Sequence, residues 1–180
     1  MMRREPARPW VGGLSYGLIA AGALLRVLPH PPNFAPLGAI ALFGGAVLAP
    51  PWGVAVPLAA LFLSDTLLGF YPGAAWVYGS FVLISLLGRA VLRRRTVFRL
   101  VGASLGASVL FFIVTNLGEW FGPLYPHTPA GLRQDYIAAI PFFWNTMWSD
   151  LGYSLALFGI YVGALRLARL SPERLHAAPR

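Results

Sequence analysis

Six apolar runs, separated by breaks that carry proline or arginine, constrain the fold of this chain more than any other feature. The runs lie at 10–27, 34–48, 52–70, 74–92, 100–117 and 142–165. Charged residues make up 11% of the sequence, against about 25% in a typical soluble domain, and 57% of residues are hydrophobic. So little charge cannot solvate the exterior of a short chain, so we expect that exterior to face lipid. The sequence therefore predicts an all-α integral membrane protein with six transmembrane helices in one domain, 10–165.

The arginines predict the direction of these helices. All 14 basic residues are arginine, and most of them cluster at the ends of apolar runs. With six crossings, the segment 1–9, the 89–99 loop and the tail 166–180 share one side, and Arg26 and Arg133 lie on the other. Cytoplasmic loops of membrane proteins carry such an excess of basic residues. We therefore expect a multi-pass protein of the inner (plasma) membrane with both termini in the cytoplasm.

The second run is the shortest of the six. Its apolar part, 37–48, gives about 18 Å of helix against a hydrocarbon core of roughly 30 Å. It could therefore form a re-entrant hairpin instead of a crossing. A hairpin would reverse every later helix and place the arginines at 93–95 outside. The charge distribution favours a second helix that crosses but is short, tilted or partly unwound near Asn33.

Several classes of function lack support in the sequence. The arginines form no basic face interleaved with aromatic residues, so nucleic acid is not expected as a partner. There is no cysteine, and the histidines and aspartates show no ligand spacing on one helix, so we expect neither a metal nor a cofactor. The GASLG string at 102–106 fits the nucleophile-elbow pattern but lies inside an apolar run instead of a strand–turn–helix. The chain is therefore not expected to be an enzyme.

Polar residues that the topology brings to one depth predict a binding pocket in the outer half of the bundle. A charge near mid-bilayer is unfavourable by about 2.5–3.5 kcal/mol, so such residues usually line a cavity or form pairs. The long 118–141 loop adds aromatic residues at the same end. The candidate substrate-binding residues are Arg26, His30, Asn33, Asp65, Asn116, Glu119, Trp120, Tyr125, Asn145 and Asp150.

These candidates are expected to take different roles. Arg26 and His30 would neutralise or hydrogen-bond a solute, while the 118–141 loop would close Trp120 and Tyr125 over it as a lid. The polar base would consist of Asp65, Asn116, Asn145 and Asp150. Two alternatives stay open: Arg26 could pair with an aspartate only to lock helices together, and the loop aromatics could form an interfacial belt.

Small residues recur at four-residue spacing on two of the predicted helices. Gly13, Gly17 and Ala21 lie on the first, and Gly102 and Gly106 on the fifth. Such faces let helices approach closely. They indicate either packing inside the bundle or, for Gly13, Gly17 and Ala21, an interface with a partner protein.

Several short motifs lie between 26 and 159. They are LPHPPNFAPLGA at 28–39, FGG at 43–45, LSD at 63–65 with Gly69, VYGSF at 77–81, TNLG at 115–118 with Trp120, and PFFWNTMWSDL at 141–151. Together these motifs resemble a family of small bacterial membrane proteins of unknown function that are often labelled as transport proteins. That family is similar to the S components of energy-coupling-factor vitamin transporters. The resemblance implies an S-component-like bundle of six helices, an outer substrate pocket and small-residue faces that dock a coupling module. Related cobalamin-binding S components use a cysteine ligand, which this chain lacks.

Two functions follow as hypotheses. In the first, the chain is an S-component-like transport protein that binds a small vitamin- or cofactor-like solute in an outward-facing pocket. It has no G-x-x-x-x-G-K-[ST] motif, so a partner such as an energy-coupling module would have to use any ATP. In the second, the chain is an accessory structural subunit of a larger membrane complex, and its small-residue faces contact the other subunits.

Overall fold

The computed structural model describes residues 9–92 and 96–169, which form six helices and no strand. The helices are α1 (Pro9–Val27), α2 (Leu37–Val47), α3 (Trp52–Leu68), α4 (Ala74–Val91), α5 (Val97–Trp120) and α6 (Pro129–Arg169). This confirms the predicted all-helical chain of six helices. The predictions made for 1–8, 93–95 and 170–180, including the arginines there, lie outside the described residues.

The first five helices agree with the predicted runs to within three residues at each end, but the sixth does not. The predicted loop over 118–141 is wrong, because α5 continues to Trp120 and α6 already begins at Pro129. The side chain of Thr128 caps α6, its Oγ1 accepting the Gly131 N–H at 3.1 Å, and proline suits the first helical position because its φ is fixed. Pro141, which the prediction treated as a break, lies inside α6.

Helix α2 lies at the centre of the bundle. It has 11 residues, of which the nine from Leu37 to Gly45 are buried. It packs against α3, α4, α5 and α6, and more lightly against α1. Its approach to α4 is close enough to require glycine, since a Cβ on Gly45 would lie 1.8 Å from the Ser85 carbonyl oxygen. A short helix thus forms the core around which the longer helices pack.

The helices around α2 alternate in direction. Gly22 and Arg26 of α1 lie beside Ala60 and Asp65 of α3, so these two helices run the same way. Tyr78 near the start of α4 also reaches Asp65, so α4 runs back alongside α3. We call the end of the bundle where α1, α3 and α5 finish and α4 begins the cavity end.

The outward faces of the helices are strongly apolar. Leu67, Leu86 and Ile160 are at least half exposed on α3, α4 and α6. Two helices among the described residues, Ala74–Val91 and Val97–Trp120, are long and apolar enough to cross a membrane. Three shorter apolar helices, Gly13–Val27, Leu37–Val47 and Trp52–Leu68, accompany them.

Candidate functional site

A cavity of about 450 Å³ opens at the cavity end of the bundle. Its walls come from the last turns of α1, α3 and α5, the first turns of α2 and α4, and the middle of α6. The lining residues are Arg26, His30, Asn33, Ala35, Leu37, Gly38, Leu61, Leu68, Tyr71, Val77, Phe81, Ile84, Phe111, Thr115, Asn116, Glu119, Thr146 and Asp150. All six helices therefore contribute to one site.

An ion pair between Arg26 and Asp65 joins α1 to α3 at the cavity wall. Arg26 Nη1 donates to Asp65 Oδ1 and, at 2.7 Å, to Ser64 Oγ. The second carboxylate oxygen, Asp65 Oδ2, accepts a hydrogen bond of 2.9 Å from the Tyr78 hydroxyl. Asp65 is fully buried, whereas 17% of the Arg26 side chain is exposed. The Asp65 carboxylate, which lies behind the cavity wall, therefore already neutralises the charge of Arg26.

Tyr71 and His30 lie near the mouth of the cavity. Burial, followed by the nearby Asp65 carboxylate, raises the pKa of Tyr71, although Arg26 opposes the shift. The phenol therefore stays protonated at neutral pH. The two ring nitrogens of His30 lie 2.7 and 3.0 Å from the carbonyl oxygens of Pro31 and Arg26. One nitrogen therefore contacts the backbone of the α1–α2 connection and the other contacts the last turn of α1.

Asp150 forms the floor of the cavity and is 3% exposed. The Ser108 hydroxyl of α5 donates to Asp150 Oδ2 at 2.8 Å. A Cβ on Gly38 would lie 2.0 Å from Asp150 Oδ1, so glycine at the start of α2 leaves room for the carboxylate. Within 9–92 and 96–169, Asp150 has no cationic partner, and Oδ1 accepts no side-chain hydrogen bond.

Helix α6 holds the connection between α1 and α2 against the cavity. The Asn145 amide donates to the Pro32 carbonyl oxygen at 3.0 Å, and the Ser149 hydroxyl donates to the Ala35 carbonyl oxygen at 2.9 Å. These two bonds attach a proline-rich segment to the helix that carries Asp150. The prolines further restrict this wall because each fixes its own φ.

Residues 11–172 match a family of unknown function, DUF6580. The chain belongs to DUF6580. No curated protein and no solved structure matches it. The matched DUF6580 region contains every residue that lines the cavity.

The structure brings six of the ten predicted site residues of this DUF6580 chain to the cavity lining: Arg26, His30, Asn33, Asn116, Glu119 and Asp150. Asp65 lies behind Arg26, and Asn145 holds the Pro32 carbonyl. Trp120 ends α5 and donates its indole N–H to the Pro126 carbonyl oxygen at 3.0 Å. Tyr125 is half-buried in the 121–128 connection. These last four are not lining residues.

Several lining residues were not predicted, although helical spacing could have revealed them. Phe111, Thr115 and Glu119 are four residues apart on α5, and Thr146 precedes Asp150 by four on α6. Residues at such spacing share one helix face. The prediction selected polar side chains individually. It did not consider which other residues share a helix face with each of them.

Asp135 is a further buried carboxylate that the sequence reading missed. It is 2% exposed, lies on the part of α6 that was predicted as loop, and its Oδ2 has no hydrogen-bond partner among the described residues. It does not line the cavity. No group of three or more histidine, aspartate or glutamate side chains in 9–92 and 96–169 is arranged to hold a metal ion.

The predicted partner face on α1 is exposed. Gly13, Gly17 and Ala21 all face outward, and a Cβ built on either glycine would meet no atom within 4 Å. On α5, Gly102 and Gly106 are exposed as well. Packing among the described residues therefore does not explain the small residues on α1.

Proposed function

We propose that the chain is a multi-pass membrane transport protein of the S-component type, which binds a small vitamin- or cofactor-like solute in an outward-facing cavity. The observation that carries the proposal is the cavity of about 450 Å³ to which all six helices contribute. This volume falls within the range of roughly 300–1,000 Å³ that is typical of small-molecule sites. Its lining mixes apolar side chains with a few polar groups, as such sites do.

The distribution of polar and apolar side chains supports a membrane setting. Ser64, Ser85, Ser108 and Ser154 are almost fully buried, while leucine and phenylalanine side chains cover the outward faces. Soluble monomers rarely expose apolar patches larger than a few hundred Å². Lipid around the bundle would cover these faces.

The position of the described arginines supports a cavity that opens outward. Arg89 lies in the last turn of α4, Arg99 in the first turn of α5 and Arg166 near the end of α6, all at the end opposite the cavity. Arg26 and Arg133 lie at the cavity end. Under the positive-inside rule that end is cytoplasmic. The inner membrane, with both termini in the cytoplasm, is therefore the proposed location.

Ligand-induced thermal stabilisation tests the proposal. We expect at least one member of a panel of vitamins and cofactor precursors to raise the unfolding temperature of the purified protein in detergent. Asn116→Leu, which puts a branched apolar side chain into the cavity wall, should abolish the shift. Arg133→Ala, which removes an exposed arginine outside the cavity lining, should leave it unchanged. No shift with any compound, or equal shifts in both variants, would contradict a solute site in this cavity.

The exposed face of Gly13, Gly17 and Ala21 favours a second candidate, an accessory subunit of a larger membrane complex. Small residues at this spacing let a partner helix pack closely. Affinity purification at native expression separates the two candidates. Recovery with an ATPase module would support transport, whereas stoichiometric recovery with a respiratory or photosynthetic complex would support the accessory role.

A further inference from the structure

The charges around the cavity do not balance. Arg26 lies at the wall, but Asp65 already neutralises it. Glu119 at the exposed rim and Asp150 at the floor have no cationic partner within the described residues. Three carboxylic acids, Asp65, Glu119 and Asp150, therefore stand against one arginine in the cavity and directly behind its wall, so acidic groups are in excess.

Of the two unpaired carboxylates, Asp150 at the floor says more about the solute than Glu119 at the rim. Asp150 is 3% exposed, and an isolated carboxylate buried from water is strongly unfavourable unless it is paired or takes up a proton. One hydrogen bond from Ser108 satisfies Oδ2, while Oδ1 remains beside the glycine backbone at the start of α2. The floor therefore lacks a positively charged group.

The neutral polar groups of the lining also favour a ligand that donates hydrogen bonds. The Thr115 and Thr146 hydroxyls donate to carbonyl oxygens of their own helices, at 2.8 and 3.0 Å. The Asn116 amide donates to the Phe112 carbonyl oxygen at 2.7 Å. The oxygen lone pairs of these three side chains remain available as acceptors.

Aromatic rings form the apolar part of the lining. The Phe81 and Phe111 rings lie 5.4 Å apart in a tilted pair, and Tyr71 lies nearer the mouth. Aromatic faces attract organic cations as well as planar apolar groups. Both the acidic floor and the aromatic wall therefore suit one chemical class of solute.

We infer that the solute is an organic cation, with a protonated nitrogen that pairs with Asp150 and a planar or apolar part that packs against Phe81 and Phe111. This inference rests on the proposed solute-binding function and names the substrate class of that site. Glu119 attracts the cation at the rim, and Asp150 holds it at the floor. The acceptor oxygens of Thr115, Asn116 and Thr146 take the remaining N–H groups of the solute.

A matched series of probes tests the charge preference. The compounds are 2-phenylethylammonium, neutral 2-phenylethanol and anionic phenylacetate, which have the same ring and similar size. We expect the cation to raise the unfolding temperature of the full chain in detergent, and the other two to have little effect. Asp150→Asn should weaken cation binding roughly tenfold to a hundredfold, the range for a lost hydrogen bond between charged groups.

Two further variants make the result specific. Asp135→Asn removes a buried carboxylate of the same helix that does not line the cavity, and it should leave cation binding unchanged. Glu119→Gln lies at the exposed rim, so it should fold normally and weaken cation binding several-fold. Glu119→Gln therefore still tests the charge preference if Asp150→Asn does not fold.

The outcomes separate this inference from the proposed function. Stabilisation by the alcohol, the acid or an uncharged vitamin, insensitive to Asp150→Asn and Glu119→Gln but abolished by Asn116→Leu, would overturn the cation assignment and leave a solute site in place. Absence of any shift with these probes and with the whole vitamin panel would overturn both.

Discussion

Arg26 and Asp65 illustrate how a single buried pair orders the wall of the cavity. The two residues come from parallel helices, and Ser64 and Tyr78 each add a hydrogen bond, one to the guanidinium and one to the carboxylate. Breaking a buried pair at one partner leaves the other charge uncompensated, which typically destabilises a protein by about 3–5 kcal/mol. The pair therefore has a structural role even though Arg26 also faces the cavity.

Asp65→Ala is expected to lower the unfolding temperature markedly, because it leaves the Arg26 guanidinium largely buried beside apolar side chains. The double variant Arg26→Ala/Asp65→Ala should be more stable than Asp65→Ala alone, since neither charge then remains unpaired. Tyr78→Phe, which removes one hydrogen bond to the carboxylate, should have a smaller effect of about 1–3 kcal/mol. Thermal unfolding of these variants, of Arg26→Ala and of the parent chain in one detergent measures this, and strictly additive losses would show that the two residues do not act as a pair.

The sequence predicted many of the polar residues of the site but not its aromatic and apolar walls. Charged residues in apolar runs are conspicuous because they are unfavourable in lipid, so Arg26 and Asp150 could be found one by one. Phe81 and Phe111 resemble any other apolar residue in such runs. Their contribution depends on which helix face turns inward, and that is fixed by packing between helices distant in the chain.

At the scale of the helices, apolar runs predicted five elements well because each is bounded by proline, glycine or charged residues. The helix over 129–140 was not predicted for the opposite reason, since this segment contains Arg133 and Asp135 and its apolar stretch, 136–140, is short and followed by Pro141. Thr128 followed by Pro129 is a helix-start signal that outweighs this composition. The resulting α6 has 41 residues and is about 60 Å long, roughly twice the hydrocarbon core.

The close packing of α2 leads to a prediction about glycine. Gly45→Ala should lower stability by about 1–3 kcal/mol or prevent folding, because its Cβ would lie 1.8 Å from the Ser85 carbonyl oxygen and neither backbone can move without shifting a helix. Gly102→Ala is the matched control, since a Cβ there meets nothing within 4 Å. Alanine favours the helix over glycine by about 1 kcal/mol, so this variant should be as stable as the parent chain or slightly more stable.

Unfolding temperature and folded yield of the two glycine variants, expressed and purified in parallel, give the comparison. Equal stability would mean that α2 and α4 do not pack as closely as the structure has them. Loss in both variants would point instead to a partner or a lipid contact on the exposed side of α5.

At the scale of the whole molecule, a bundle that spans the membrane could have either of two orientations. Because α1 and α3 run the same way, the short α2, about 16 Å long, leads the chain from the cavity end to the opposite end and is not a hairpin that returns to the cavity end. The chain has no cysteine, which allows single-cysteine labelling without background. Ala49 in the α2–α3 turn, Ala90 near the end of α4 and Leu124 in the 121–128 connection are exposed and serve as reporters.

With six crossings and an outward-facing cavity, a membrane-impermeant maleimide should label Leu124→Cys on intact cells. It should label Ala49→Cys and Ala90→Cys only after permeabilisation. An inverted bundle would give the opposite pattern, so Ala49→Cys and Ala90→Cys would be labelled on intact cells and Leu124→Cys would not. That result would place the arginine-bearing end outside, against the positive-inside rule, and the acidic cavity would open to the cytoplasm. The three reporters therefore determine the side of the membrane from which a solute enters.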